Sequence, residues 1–349
     1  MKVYYASVQR RHDPSFEVED GGERSAYFES PARVESILKA LREIVWAEVS
    51  EPADYGLAPI RAVHADGYLE FLRTVWDEWL ATRDVSAAPT QDAGFLPATF
   101  VLRRQVAHLP RSLLGRAGYY MMDLSAVIVE GTYDASLASA NSALAAAQAI
   151  GGNDSGSAFA LSRPPGHHAG RDYAAGYCYI NNAAVAAQWL SSRGKVAILD
   201  IDYHAGNGMQ DIFYQRADVL TISLHADPSE EYPYYAGYAD EVGAGEGTGF
   251  HRNFPLPAGT EDAEYLRTLD QALELLQRFA PSHLIVSLGL DIHENDPLGQ
   301  FKITSDGILS IGKRISSLRL PTAIIMEGGY NTADLGANVA SFLSAFERE

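Results

Sequence analysis

The sequence predicts an α/β domain built on a mainly parallel sheet with helices on both faces. Short β-branched runs alternate with segments of helical periodicity along most of the chain, the pattern of strand–helix–strand units. Five of those runs lead into polar residues, as strands do whose carboxyl ends carry a site. With 349 residues, 47% of them apolar, the chain suits one large domain or two ordinary ones with a sizeable core. Nothing repeats internally, and no segment is of low complexity.

In chain order, a run at 3–6 precedes a periodic stretch at 31–45. The stretch 133–150 leads to a run at 158–161, and 181–192 leads to one at 196–201. A run at 219–224 follows. The stretch 261–279 leads to 284–288, and 305–317 leads to 323–326. The segment 81–130 interrupts this alternation. It is weakly periodic and contains Pro, Gly and Arg, and a segment that long inside a compact domain usually serves function or an interface.

The formal net charge of −18 favours cationic substrates over anionic ones and argues against nucleic acid as a direct partner, since phosphate binding needs a positive patch. One cysteine, Cys178, excludes an intramolecular disulfide and fits a reducing compartment. The first residues contain no apolar stretch of the signal-peptide kind, and no 18-residue apolar run exists to span a membrane. The expected location is therefore cytoplasmic.

The polar residues after the runs carry the chemistry. The run 158–161 leads into Arg163-Pro164-Pro165-Gly166-His167-His168. Asp200, Asp202, His204 and Asn207 cluster at the end of 196–201. His225 follows 219–224, Asp291 follows 284–288, and Glu327-Gly328-Gly329-Tyr330 follows 323–326. On an extended strand end, Asp202 and His204 share a face and can bind one metal, with Asp291 arriving from another strand. Two carboxylates and one imidazole leave a position open, as catalytic zinc requires. The adjacent His167 and His168 sit on a turn stiffened by proline, and two imidazoles there suit general acid and base work near neutral pH. Asp200 and Asn207 are available to orient them. A carboxylate makes its partner ring more basic and an amide much less, so unequal partners separate the two roles. Tyr330 follows two glycines and can donate to a polarised carbonyl. The glycine run 243–249 neither follows a strand nor opens a helix, which excludes a dinucleotide fingerprint. Ser162 and Ser287 lack the nucleophile-elbow context of a serine hydrolase.

Together these motifs resemble the zinc-dependent histone deacetylase and acetylpolyamine amidohydrolase family, of the arginase–deacetylase fold. The matching pieces lie at 163–168, 176–182, 200–210, 223–225, 288–291, 296–299 and 327–330, in the family's order. The segments 118–120, 131–133 and 227–249 look closest to the bacterial acetylpolyamine amidohydrolases. The resemblance implies a single deacetylase domain over 1–349. Asp202, His204 and Asp291 would hold one Zn2+ per subunit. His167, supported by Asp200, would be the general base. His168, supported by Asn207, would help deliver the proton to the leaving amine, and Tyr330 would polarise the acetyl carbonyl. Gly176 and Tyr177 would line a narrow substrate tunnel. A structural potassium ion (K+) would sit on Asp200, Asp202, His204, Ser223 and Leu224, with a second monovalent site near Phe213, Arg216 and Val219.

The resemblance further implies a homodimer in which the insertion at about 81–130 restricts entry to the site. One departure stands out. Relatives that act on acetylpolyamines tend to carry an acid just before the Gly-x-x-Gly-Tyr-Tyr stretch, where this chain has Ser112-Leu113-Leu114; Glu294 is the candidate replacement. The expected function is hydrolysis of an acetyl or acyl group from a small amine. A peptide acetyl-lysine deacetylase is the alternative. A silent acyl-amine binding module needs no base and no electrophile, so the His–Asp–Tyr set speaks against it. A dimanganese hydrolase of the arginase kind would want more carboxylates around Asp202 and Asp291.

Overall fold

The computed structural model describes residues 1–18, 22–82, 94–97, 99, 108–152 and 156–347. Strands β1 (Lys2–Tyr4), β4 (Glu48–Ser50), β5 (Ser157–Ala160), β6 (Val196–Asp200), β7 (Val219–Ala226), β8 (His251–Leu256), β9 (His283–Leu288) and β10 (Thr322–Met326) form one sheet. The order is β4-β1-β5-β10-β9-β6-β7-β8, and every pairing is parallel. A two-stranded antiparallel ribbon, β2 (Glu17–Val18) with β3 (Arg24–Ser25), lies apart.

A parallel sheet buried on both faces has strands that are apolar at nearly every position, and β6, β9 and β10 are buried throughout. Alternate residues then feed different layers. Leu199 joins the core under α1 (Ala32–Arg42), α8 (Asp262–Phe279), α9 (Ser305–Ser316) and α10 (Thr332–Ser344). Its neighbour Ile198 joins the core under α3 (Asp66–Thr82), α5 (Thr132–Ile150) and α6 (Asn182–Ser191). Helices α2 (Ala58–Arg61), α4 (Leu113–Tyr120) and α7 (Asn207–Phe213) complete the set among the described residues. The result is a single α/β domain.

The expected strands and helices appear within a few residues of their sequence boundaries, but several elements are new. Edge strand β8 reads His-Arg-Asn-Phe-Pro-Leu, too polar and too proline-marked to announce itself. Helices α3 and α10 hold their place through tertiary burial of one face. His225 lies inside β7, not beyond it. The sheet ends at Asp200, so Asp202 and His204 sit in a bend past β6 rather than on extended strand.

The insertion is less of a loop than expected. Helix α3 runs to Thr82, and α4 lies within 81–130. Phe95 is buried, edge-on to Trp79 and bridged to Ile128, and Leu113 packs on the second core. Leu114 is exposed. Phe100 and Val101 lie outside the described residues.

Candidate active site

The four central strands β5, β10, β9 and β6 are neighbours, and the segments leaving their carboxyl ends meet. Ligand atoms of Asp202, His204 and Asp291 lie within 4.8 Å of one another. Nδ1 of His204 stands 3.1 Å from Oδ2 of Asp291 and 3.4 Å from Oδ1 of Asp202. Main-chain donors fix both carboxylates: Tyr203 N–H to Asp291 Oδ1 at 2.9 Å, His204 N–H to Asp202 Oδ1 at 2.9 Å, and Gly328 N–H to Asp202 Oδ2 at 2.8 Å.

Both aspartates are fully buried. Burial, then the charge of Asp202, pushes the Asp291 carboxyl up to about 7. Burial lowers His204, but the two carboxylates more than reverse this and carry it to about 10. Two buried carboxylates this close carry an excess of negative charge that a divalent cation would balance. Their oxygens with one imidazole nitrogen make a donor set suited to zinc. The residues therefore fit a metal.

The two histidines beside them have different partners. Nδ1 of His167 lies 3.0 Å from Asp200 Oδ2, and Nδ1 of His168 lies 2.6 Å from Asn207 Oδ1. Their ring centroids are 3.9 Å apart. Burial lowers His167, but Asp202 and Asp200 outweigh it and raise the ring to about 10. Burial holds His168 well below the ordinary value, and charge on His167 and His204 adds to the effect. Tyr330 is buried, with its N–H donated to Asp296 Oδ2 at 2.6 Å and its phenol pushed up by burial.

Residues 27–346 match the histone deacetylase domain. The chain belongs to the histone deacetylase family. It is a deacetylase. It is 44% identical over 349 residues to acetylpolyamine amidohydrolase 2 of Pseudomonas aeruginosa, covering 99% of both chains. It is 41% identical to the acetylpolyamine amidohydrolase of Mycoplana ramosa, covering 98% of each. The solved acetylpolyamine aminohydrolase of Burkholderia pseudomallei superposes with a TM-score of 0.92 at 43% identity, over 99% of this chain and 98% of that one.

Around its site the deacetylase carries Glu327 and Arg33, to which the sequence assigns no role, and Gly176 and Tyr177, expected to line the tunnel. Glu327 Oε2 accepts the N–H groups of Gly166 and His167 at 2.7 and 3.1 Å, which fixes the turn bearing the histidines. Arg33, paired with buried Glu29, donates to the carbonyls of Gly329 and Glu327, and its guanidinium lies 4.9 Å from the Tyr330 ring centroid. Tyr177 stands 5.7 Å from Tyr330, centroid to centroid, and donates to Glu17 Oε2 at 2.6 Å. Gly176 and Tyr177 are both left-handed, at φ 49° and 65°. At Gly176 a Cβ would come within 2.3 Å of the His168 ring, so only glycine fits.

Glu294, the expected replacement acid, is exposed on a groove with Glu261, Asp262 and Lys302, away from these residues. The acids bonded to tyrosines beside the site are Glu17 and Asp123. Of the residues assigned to potassium, Asp200 and Ser223 are register partners on β6 and β7, and Ser223 Oγ is 2.7 Å from His225 Nδ1. Near the second site, the Phe213 carbonyl accepts the N–H of Arg216 at 2.9 Å, and Val219 begins β7.

Proposed function

We propose that this deacetylase uses zinc held by Asp202, His204 and Asp291 to hydrolyse acyl groups from small, slender amines such as acetylated polyamines. The observation that carries the reading is the meeting of those three residues with two histidines of opposed basicity. When bound there, zinc would polarise the amide carbonyl as a Lewis acid and acidify water to a pKa of roughly 7.

The chain's own residues do the rest. The carboxylate charge that raises His167 is the charge a divalent cation neutralises, which leaves the ring free to take a proton. Its Nδ1 is held by Asp200, so the proton from water arrives at Nε2. His168, kept neutral, has its Nδ1–H on Asn207 and works through its own Nε2 at the leaving amine. Tyr330 donates its phenolic hydrogen to the carbonyl oxygen as negative charge develops. Glu327, Asp296 and Arg33 hold the two turns in register.

The names of the relatives, the net charge of −18 and the acids Glu17 and Asp123 support a cationic amine product. Asp200 and Ser223 support a structural K+ nearby. Exposed Leu109, Leu114, Met122, Tyr235 and Tyr238 support a homodimer formed through the 81–130 insertion, which would also narrow the entrance. No described helix is long and apolar enough to cross a membrane, and buried, unpaired Cys178 fits a cytoplasmic location. Side-by-side turnover of acetylputrescine, acetylspermidine, acetylcadaverine and an acetyl-lysine peptide by the zinc-loaded enzyme tests the substrate. Small amines should be preferred. Faster peptide hydrolysis would replace the reading with the peptide deacetylase.

A further inference from the structure

We infer that Asp123, within the 81–130 insertion, is a positioning residue for His168. The inference rests on the part given to His168 above. One oxygen of this carboxylate, Oδ2, accepts the N–H of Gly176 at 3.0 Å and the phenolic hydrogen of Tyr232. The other, Oδ1, accepts the N–H of Ser125 at 3.0 Å, which anchors the acid to its own turn. A carboxylate can only accept and the three groups can only be donors here, so the directions of these bonds are fixed.

Both groups tied to Oδ2 touch the His168 ring. Gly176 packs so closely on it that a Cβ would lie 2.3 Å from Cδ2. Tyr232 meets it edge to face, centroids 4.9 Å apart and planes at 89°, and reaches His204 at 6.1 Å. The imidazole is therefore bordered by two segments distant in sequence, the left-handed turn at 176–177 and the chain around 232, and a single oxygen from a third segment joins them. Asn207 fixes the His168 ring at Nδ1, and the Asp123 clamp fixes where its far edge points.

The left-handed pair Gly176-Tyr177 makes the clamp necessary. A tyrosine at φ 65° is in a sparsely populated conformation and persists only where surrounding bonds impose it. The Gly176 N–H on Asp123 and the Tyr177 phenol on Glu17 are two such bonds. Without the first, the turn can relax away from His168, and Tyr232 loses the partner that holds its ring upright.

The test is a cycle between Asp123→Ala and His168→Ala, read as kcat, KM and zinc content. In the otherwise unchanged enzyme, Asp123→Ala should lower kcat by about 10- to 100-fold, the scale of a misplaced catalytic group. KM should move little and zinc stay at its full level. In the His168→Ala background the same change should cost nothing further, because the residue it positions is gone. An equal loss in both backgrounds means a general structural role and overturns the inference, as does an unchanged kcat. If Asp123→Ala does not fold, Tyr232→Phe removes one arm and keeps the ring. It should lower kcat by about 3- to 10-fold, the worth of one hydrogen bond, and be silent in His168→Ala. A His168→Ala enzyme with full activity would overturn the reading of the site itself, a result separable from any behaviour of Asp123.

Discussion

The main-chain N–H of Gly328 donates to Oδ2 of Asp202 at 2.8 Å. The loop that carries Tyr330 is thereby fastened to the residue proposed to hold the metal. Asp296 fastens the same loop from the other side through the N–H groups of Tyr330 and Asn331, and Arg33 takes up its carbonyls. The phenol therefore has a fixed place relative to the Asp202–His204–Asp291 cluster before any substrate arrives, which is the condition under which a hydrogen-bond donor lowers a barrier.

Tyr330→Phe removes that donor and leaves the loop's main-chain bonds alone. The loss of one such donor costs about 2.7–4 kcal/mol, so kcat should fall on the order of 100- to 1000-fold with zinc content unchanged. Steady-state kinetics on the zinc-loaded variant, with metal analysis of the same sample, gives the answer. A variant that keeps its kcat is incompatible with the role.

Asp202→Ala and His204→Ala each delete one of three ligands. Each should abolish bound zinc and activity together. Chelation of the unaltered protein should do the same, and added Zn2+ should restore it. Full zinc occupancy in both variants, by elemental analysis, would remove the metal assignment.

The sequence was most legible where chemistry and strand coincide. Strands of a buried parallel sheet are apolar at nearly every position, so β5, β6, β7, β9 and β10 stood out, and the polar residues at or just past their ends could be read as one cluster. The pairs His167–Asp200 and His168–Asn207 were implied by a resemblance rather than by spacing. The supporting residues were not legible. Arg33 bonds to main-chain carbonyls 294 and 296 positions away, Asp123 reaches Gly176 and Tyr232 at 53 and 109 positions, and Glu327 reaches Gly166 and His167 at 161 and 160, mostly through main-chain partners, which leave no pattern in a sequence. Glu294 looked suitable because it lies three residues from Asp291, yet its N–H is bonded to the Ile303 carbonyl and its side chain faces solvent.

The exposed apolar residues argue for assembly. Leu109, Leu114 and Met122 lie on the insertion, and Tyr235 and Tyr238 lie on the segment that Tyr232 ties to it through Asp123. Apolar side chains on two joined segments form the kind of surface that a two-fold partner covers. Sedimentation at micromolar concentration should therefore give a dimer. Leu114→Glu together with Tyr235→Glu should give a monomer, and its ratio of peptide to small-amine turnover should rise as the entrance opens. A native monomer would remove the first half, and an unmoved ratio the second.

Acid should destabilise the fold through buried histidines that are not zinc ligands. Burial lowers His64, His225 and His251 to about 4 each. Burial disfavours the charged ring at all three, and at His64 the hydrogen bond itself also requires the neutral form. Nε2 of His64 accepts the N–H of Asn181 at 3.0 Å, and Nε2 of His225 donates to the Gly237 carbonyl at 2.8 Å while its Nδ1 meets Ser223 Oγ. His251 lies between Thr221 Oγ1 and Gln210 Oε1. In the unfolded chain each ring titrates near 6.5, so between about pH 6.5 and 4 the unfolded state binds the extra proton. Stability from these groups is complete above that window and is lost as pH falls through it. Each histidine contributes about 1.4 kcal/mol per pH unit there, on the order of 3 kcal/mol in all. Urea unfolding at pH 7.5 and 5.5 measures the loss, but carboxylates also titrate at the lower pH, so a single curve does not isolate the histidines. His64→Gln does: its amide oxygen can still accept the Asn181 N–H and carries no titrating proton. The variant should lose less stability between the two pH values than the unaltered protein, by about 1 kcal/mol. Parallel losses in the two proteins would show that His64 is not held neutral by the fold.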